Sequence, residues 1–209
     1  MAKKTKEDAE RTYHALLDAA TELFIRQGVA RTTLGQIAAE AGLTRGAVYW
    51  HFQNKDAVIE ALWLRNADWL HRMIDELPER IRPSRPAASF RAAVRQLMHG
   101  VVTRPELAQI IRIVMHNVEL TDEQTELQRF LILRKEGVHL AMEKAFRLLR
   151  RHNALQATGS PALLADCLLS YLHGLIHSYL SPEGRRIDLS KHGDAALDFL
   201  LDSLLAKDG

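Results

Sequence analysis

Between residues 33 and 55 the chain gathers side chains that suit one kind of chemistry: Thr33, Thr44, Arg45, Gly46, Tyr49, Trp50, His51 and Lys55. A guanidinium can take two acceptors of a guanine edge. Hydroxyls, ring donors and an ammonium meet phosphates, and small residues let a backbone approach base edges. At about 100° per residue, Val48 and Phe52 point one way along residues 45–52. Gly46, Ala47 and Trp50 lie opposite, with Tyr49 and His51 on the flanks. That division, apolar behind and polar-aromatic in front, fits a helix lying in the major groove.

The elements that must position these groups are legible nearby. Thr33 is a good N-cap and Gln36 stands three residues on, which makes a capping box; Leu34, Ile37, Ala38 and Ala41 follow at helical spacing. Gly42 supplies a left-handed stop. Thr44 caps a second helix, and Leu43 and Val48 are placed as a hydrophobic staple that fixes the angle between the two. The result is a helix-turn-helix, a DNA-reading motif. Asn54 and Lys55 open the next helix, where backbone N–H groups and a cation converge on another phosphate. Lys3, Lys4 and Lys6 form a mobile basic arm, and Arg31, Arg45 and Lys55 surround the helix pair.

The run Thr44-Arg45-Gly46-Ala47-Val48-Tyr49-Trp50-His51-Phe52-x-Asn54-Lys55 resembles the signature of TetR-family transcriptional regulators, especially the AcrR-like branch that represses multidrug efflux pumps. Lys3–Glu7, Gly28–Thr33, Val118–Thr121 and His173–Ile176 are also similar. The resemblance is dense over the first quarter of the chain and thin afterwards. It implies an all-helical homodimer with an N-terminal DNA-binding domain and a C-terminal ligand-binding domain. It carries DNA contact onto Thr33, Thr44, Arg45, Gly46, Tyr49, Trp50, His51 and Lys55. Gly35 departs from the alanine or charged residue more usual there.

Composition is compatible with this and less specific. The 209 residues allow one or two small domains, and 47% hydrophobic with 26% charged residues is ordinary for a globular protein. The net charge of +2 does not mark a nucleic-acid binder; within 1–56, eight Lys and Arg face seven Asp and Glu. Placement carries that signal instead. The single cysteine, Cys167, excludes a disulfide framework. No apolar run approaches the ~20 residues of a membrane span, and the charged N-terminus is unlike a signal segment, so a cytoplasmic protein without a membrane partner is expected.

Every further segment has helical periodicity: Glu10–Gln27, Lys55–Leu77, Phe90–Thr103, Glu106–Asn117, a helix opened by a capping box at Thr121–Gln124 and ending near His152, Pro161 to Pro182, and Lys191–Lys207. With the helix pair this makes nine helices and an all-α, TetR-like fold. The expected domains are 1–54 (arm 1–9, motif about 33–52) for DNA and 55–209 for effector binding and dimerisation.

The helix from Pro161 carries two apolar stripes, and the last helix is over-apolar for a terminal element. Two stripes require two burial partners, so Leu164, Leu168, Leu175, Leu200 and Leu204 are expected at a dimer interface. A central core helix is the competing reading. Trp63, Met73, Phe90, Met98, Met115, Phe130, Cys167 and Tyr171, with Asn66, Asn117 and His173 as polar groups, form the pool for a ligand pocket. His99 and His116 are further polar candidates. A greasy, methionine-bearing wall suits bulky aromatic inducers. His173 and His177 have metal-ligand spacing but lack a third ligand.

No phosphate loop, nucleophile elbow or paired carboxylate site stands out. The expectation is therefore no enzyme and no cofactor, but a repressor of double-stranded operator DNA, relieved by a hydrophobic or aromatic small molecule. Regulation of catabolic or lipid genes, an architectural DNA binder and a His-dependent metalloenzyme are the alternatives.

Overall fold

The computed structural model describes residues 2–116, 118, 125–183 and 186–207, with side chains from residue 6 onward. The described residues form α1 (Ala2–Gln27), α2 (Leu34–Glu40), α3 (Arg45–His51), α4 (Lys55–Asn66), α5 (Asp68–Asp75), α6 (Pro86–Thr103), α7 (Pro105–His116), α8 (Glu126–Arg151), α9 (Pro161–Leu180) and α10 (Leu189–Leu204). A 3-10 turn, Pro78–Arg80, follows α5, and no strand occurs among these residues.

The all-α class is as the periodicity implies, but the described residues form ten α-helices rather than nine. The expected Lys55–Leu77 helix breaks at Ala67 (φ −100°, ψ 5°), whose N–H still donates to the Trp63 carbonyl. Asn66 and Asp68 flank the break, and such side chains compete for backbone hydrogen bonds and favour helix ends. A second departure is the N-terminus. The segment expected as a mobile arm over 1–9 is helical from Ala2, consistent with a run of Lys, Glu and Ala free of Gly and Pro. Pro86, Pro105 and Pro161 each begin a helix, where a missing N–H costs nothing. The capping box expected at Thr121–Gln124 lies outside the described residues. The described start of α8 has its own: Thr125 N–H donates to Gln128 Oε1 and Gln128 N–H donates to Thr125 Oγ1, both at 3.2 Å.

The chain divides into two compact units, residues 1–67 with 109–130 and residues 68–108 with 131–209. In the first, α1 supplies Leu16, Leu17, Ala20 and Phe24 to a core that also holds Ile37, Val48, Val58 and Leu62, all solvent-free. Arg26 makes a forked pair with Glu40 (3.2 and 3.1 Å), joining α1 to α2. Arg65 meets Asp18 at 2.8 Å and joins α4 to α1. Such half-exposed pairs add little stability but select one registry.

In the second unit, Phe90 of α6 packs against Phe146 of α8 with centroids 5.4 Å apart. Leu164, Leu168, Leu197, Leu201 and Leu204 close the same core. Arg91 bonds Asp198 at 2.6 Å and Asp202 at 2.7 Å, and Arg95 bonds Asp198 at 2.6 Å, zipping α6 to α10. The Trp69 indole lies on Gly100 of α6, with the Arg104 guanidinium 4.4 Å from its ring centroid.

Candidate nucleic-acid interface

The helix pair is built as its local chemistry requires. Thr33 Oγ1 accepts from Gln36 N–H at 3.2 Å and Gln36 Oε1 accepts from Thr33 N–H at 2.8 Å, completing the box. At the far end Gly42 takes φ +68°. Its N–H donates to Ala39 O (3.0 Å) and Leu43 N–H to Ala38 O (2.8 Å), the paired bonds of a Schellman stop. Thr44 Oγ1 accepts from Ala47 N–H at 3.3 Å to start α3, and Asn54 Oδ1 accepts from Ala57 N–H at 2.8 Å to start α4.

Within α3 the division into faces is sharp. Val48 is solvent-free and Phe52 nearly so. Phe52 stacks on Tyr13 of α1 with centroids 5.3 Å apart. Trp50 is 74% exposed and Tyr49 54% exposed. Thr33, Thr44, Arg45 and Gly46 are also exposed. Trp50 and Tyr49 together leave an exposed aromatic step on the side of α3 opposite Val48. His51 is half-buried, 5.7 Å from the Tyr13 ring and 4.5 Å, edge-on, from Trp50. Burial holds its pKa below the usual imidazole value, so the ring is neutral at pH 7 and offers one donor and one acceptor.

Lys55 has a different setting from the one its position suggests. Its ammonium donates to Val29 O (2.6 Å) and Ala30 O (3.3 Å), so it fastens the start of α4 to the α1–α2 loop. Both partners lie about 25 residues upstream, and no local pattern announces them. Tyr13 was likewise invisible as a support of the α3 face.

The residues expected around a ligand are dispersed. Met73, Phe90 and Met98 are packed into the core of the second unit. Cys167 is exposed. Tyr171 is half-buried, its hydroxyl donating to Ala196 O at 2.6 Å. His173 is exposed and lies beside His177, centroids 6.3 Å apart; partial burial, His177 and Lys135 hold its pKa down. Trp63, Asn66 and Met115 are half-buried and belong to the first unit. Asn117 lies outside the described residues. Open clefts among the described residues include one of about 490 Å³ along α1, between Glu7 and Asp18, and one of about 630 Å³ beside the start of α6. Neither is lined by the expected pool. No cluster of three metal-ligating side chains occurs among the described residues.

The residues expected at a dimer interface fall into two groups. Leu164, Leu168 and Leu204 are buried in their own protomer's core, while Leu175 and Leu200 are half-buried against it. The inward stripe of α9 is thus the one through Leu164 and Leu168. Among the large apolar side chains left in water are Leu163 (54% exposed) on α9 and Phe199 (82% exposed) on α10, with Leu133 and Leu140 on α8. No helix among the described residues is long and apolar enough to cross a membrane.

The family model for bacterial regulatory proteins of the tetR family matches residues 16–62, which span the C-terminal part of α1, all of α2 and α3, and most of α4. The HTH-type transcriptional regulator TtgR of Pseudomonas putida is 33% identical over 210 residues, covering 96% of each chain. The solved complex of SmeT with triclosan superposes with a TM-score of 0.78 at 29% identity, covering 94% of this chain and 92% of that one; SmeT is the repressor of the Stenotrophomonas maltophilia efflux pump SmeDEF. NalD, the secondary repressor of the MexAB-OprM pump in Pseudomonas aeruginosa, superposes with a TM-score of 0.75 at 29% identity, covering 95% and 98%.

Proposed function

This chain belongs to the TetR family of bacterial regulatory proteins, and on that footing we propose that it is a homodimeric repressor of a multidrug efflux operon, released from its operator by a hydrophobic small molecule. The observation that carries the DNA half is the α3 face: Tyr49 and Trp50 stand in water while Val48, just before them, and Phe52, two residues after, are buried. Arg45 reads a base edge in the major groove. Thr33, Thr44, Tyr49 and His51 meet phosphates beside it, and Gly46 and Trp50 face the bases. Lys55 has its third ammonium proton for a phosphate and spends the other two on Val29 and Ala30. Two such helices spaced by one helical turn, about 34 Å, or a multiple of it, require a roughly palindromic site.

The efflux target and the inducer class are supported by relatives. SmeT was solved with triclosan, a bulky chlorinated phenol, and SmeT and NalD are pump repressors. A ligand releases DNA only by binding the DNA-incompetent form better than the competent one. With Met73, Phe90 and Met98 core-packed, the pocket in this reading opens within the second unit as the ligand enters, beside Tyr171 and His173. The second copy covers Leu163 and Phe199 together with Leu175, Leu200 and Cys167 through an isologous contact.

The test is a fluorescence-anisotropy titration of duplexes selected from a random pool, with and without hydrophobic phenols such as triclosan. The expected result is a palindromic consensus bound at least a hundredfold tighter than random duplex and weakened by the phenol, with quenching of Trp63. Equal affinity for random and selected duplexes would overturn the DNA reading. Binding of the phenols without any change in operator affinity would overturn the inducer reading alone.

A further inference from the structure

Gly35 occupies the second position of α2, a seven-residue helix. Glycine is the poorest helix former after proline, so its place there calls for a reason. Conformation is not that reason: the described glycines with positive φ are Gly28, Gly42 and Gly159, and Gly35 is not among them. Space is. A β-carbon on Gly35 would stand 3.2 Å from Arg45 Nε, 3.6 Å from its Cζ and 3.7 Å from its Nη2, and these are its three nearest neighbours. The guanidinium of the first residue of α3 thus lies against bare backbone in the first turn of α2.

Among the described residues that side chain has no other anchor. Arg45 is exposed, and no ion pair or side-chain hydrogen bond holds it among the described residues. A free arginine samples many rotamers, and a planar fork reads a guanine edge only when both of its N–H groups arrive in the right plane. We propose that Gly35 is a specificity-determining position: it seats the Arg45 guanidinium against α2 and thereby sets which base edge the fork meets. This rests on the reading of α3 as the major-groove helix. Alanine at 35 would bring a methyl inside the roughly 3.5 Å at which heavy atoms rest, so the fork must move by a few tenths of an ångström or leave for another rotamer. Gly35 is a positioning residue in this account and touches no DNA itself.

The experiment is a double-mutant cycle in the full-length protein. Gly35→Ala, Arg45→Ala and the double variant are titrated against the selected operator and its single-base variants at fixed salt, and each protein is melted in urea. Gly35→Ala is expected to fold at least as stably as the parent, since alanine is the better helix former. It binds random duplex within twofold of the parent. Discrimination at one base pair per half-site falls about tenfold or turns to another base. In the Arg45→Ala background the same change has no effect on discrimination. Unchanged base preference in Gly35→Ala would overturn the proposal, as would an equal loss in both backgrounds, because the glycine would then act without the arginine. If Arg45→Ala itself leaves every base preference intact, the reading of Arg45 as a base contact fails first and takes the proposal with it.

Discussion

Gly100→Ala should destabilise the second unit, although the same substitution is favourable in most helices. A β-carbon on Gly100 would lie 2.0 Å from Trp69 Cη2 and 2.1 Å from Cζ3. Carbon atoms rest at about 3.5–4.0 Å, so the indole must retreat by roughly 1.5–2 Å. It is a rigid ring with Arg104 4.4 Å from its centroid. Overpacking of this kind costs about 1–3 kcal/mol, and losing the cation–π contact adds about 0.5–1 kcal/mol. The gain in helix propensity is about 1 kcal/mol. Repulsion wins, by a net 0.5–3 kcal/mol or so, and at about 2–4 °C per kcal/mol for a chain of this size Tm should fall by roughly 1–12 °C. Gly137 of α8 is the internal control, because nothing lies within 4 Å of its β-carbon position. There the propensity gain stands alone, and Gly137→Ala should raise stability by about 1 kcal/mol. Urea unfolding followed by circular dichroism measures both, and Trp69→Leu in the Gly100→Ala background should recover much of the loss through coupling of about 1 kcal/mol or more. If Gly100→Ala stabilises the protein as Gly137→Ala does, the seating of Trp69 on α6 is refuted.

Leu168→Lys should unfold the second unit, because Leu168 is solvent-free inside it, whereas Phe199→Asp should leave the monomer folded and dissociate the dimer. Two phenyls re-exposed at about 1.5–3 kcal/mol each weaken association by roughly two to four orders of magnitude; sedimentation velocity alongside thermal melting separates the outcomes, and a dimeric Phe199→Asp would sink the assignment of that face. Lys55→Ala should lower stability by about 1–3 kcal/mol through its two lost carbonyl bonds, so weaker operator binding should come with a lower urea midpoint. Acidification should destabilise the fold: His51 and His71 are held below the usual imidazole pKa, burial being the first cause for each. The unfolded chain then binds more protons, so their stabilisation is complete above about pH 6.5 and is lost as pH falls through the depressed folded values. A flat Tm between pH 7.5 and 5, or a slope unchanged by His51→Gln, would contradict this.

The parts of the molecule that the sequence disclosed are those whose causes are local. A Thr-x-x-Gln box, a Gly42 stop and a Thr44 cap each act within five residues, and the structure closes every one of those bonds. What stayed hidden depends on residues far apart in the chain. Arg26 meets Glu40 across 14 positions, Lys55 meets Val29 across 26, and the Gly100 notch meets Trp69 across 31; periodicity is silent on all three. The two stripes of α9 show the limit most plainly. Leu163 and Leu164 are neighbours about 100° apart on the helix, and spacing can establish that two apolar faces exist without saying which one the chain keeps. The interior takes the face its other helices can fill, here with Leu197, Leu201 and Phe90, and the remainder is left in water. An apolar face that one chain cannot cover is information about a second chain, so the residue that the core rejects, Phe199 at 82% exposure, says more about assembly than the leucines it accepts.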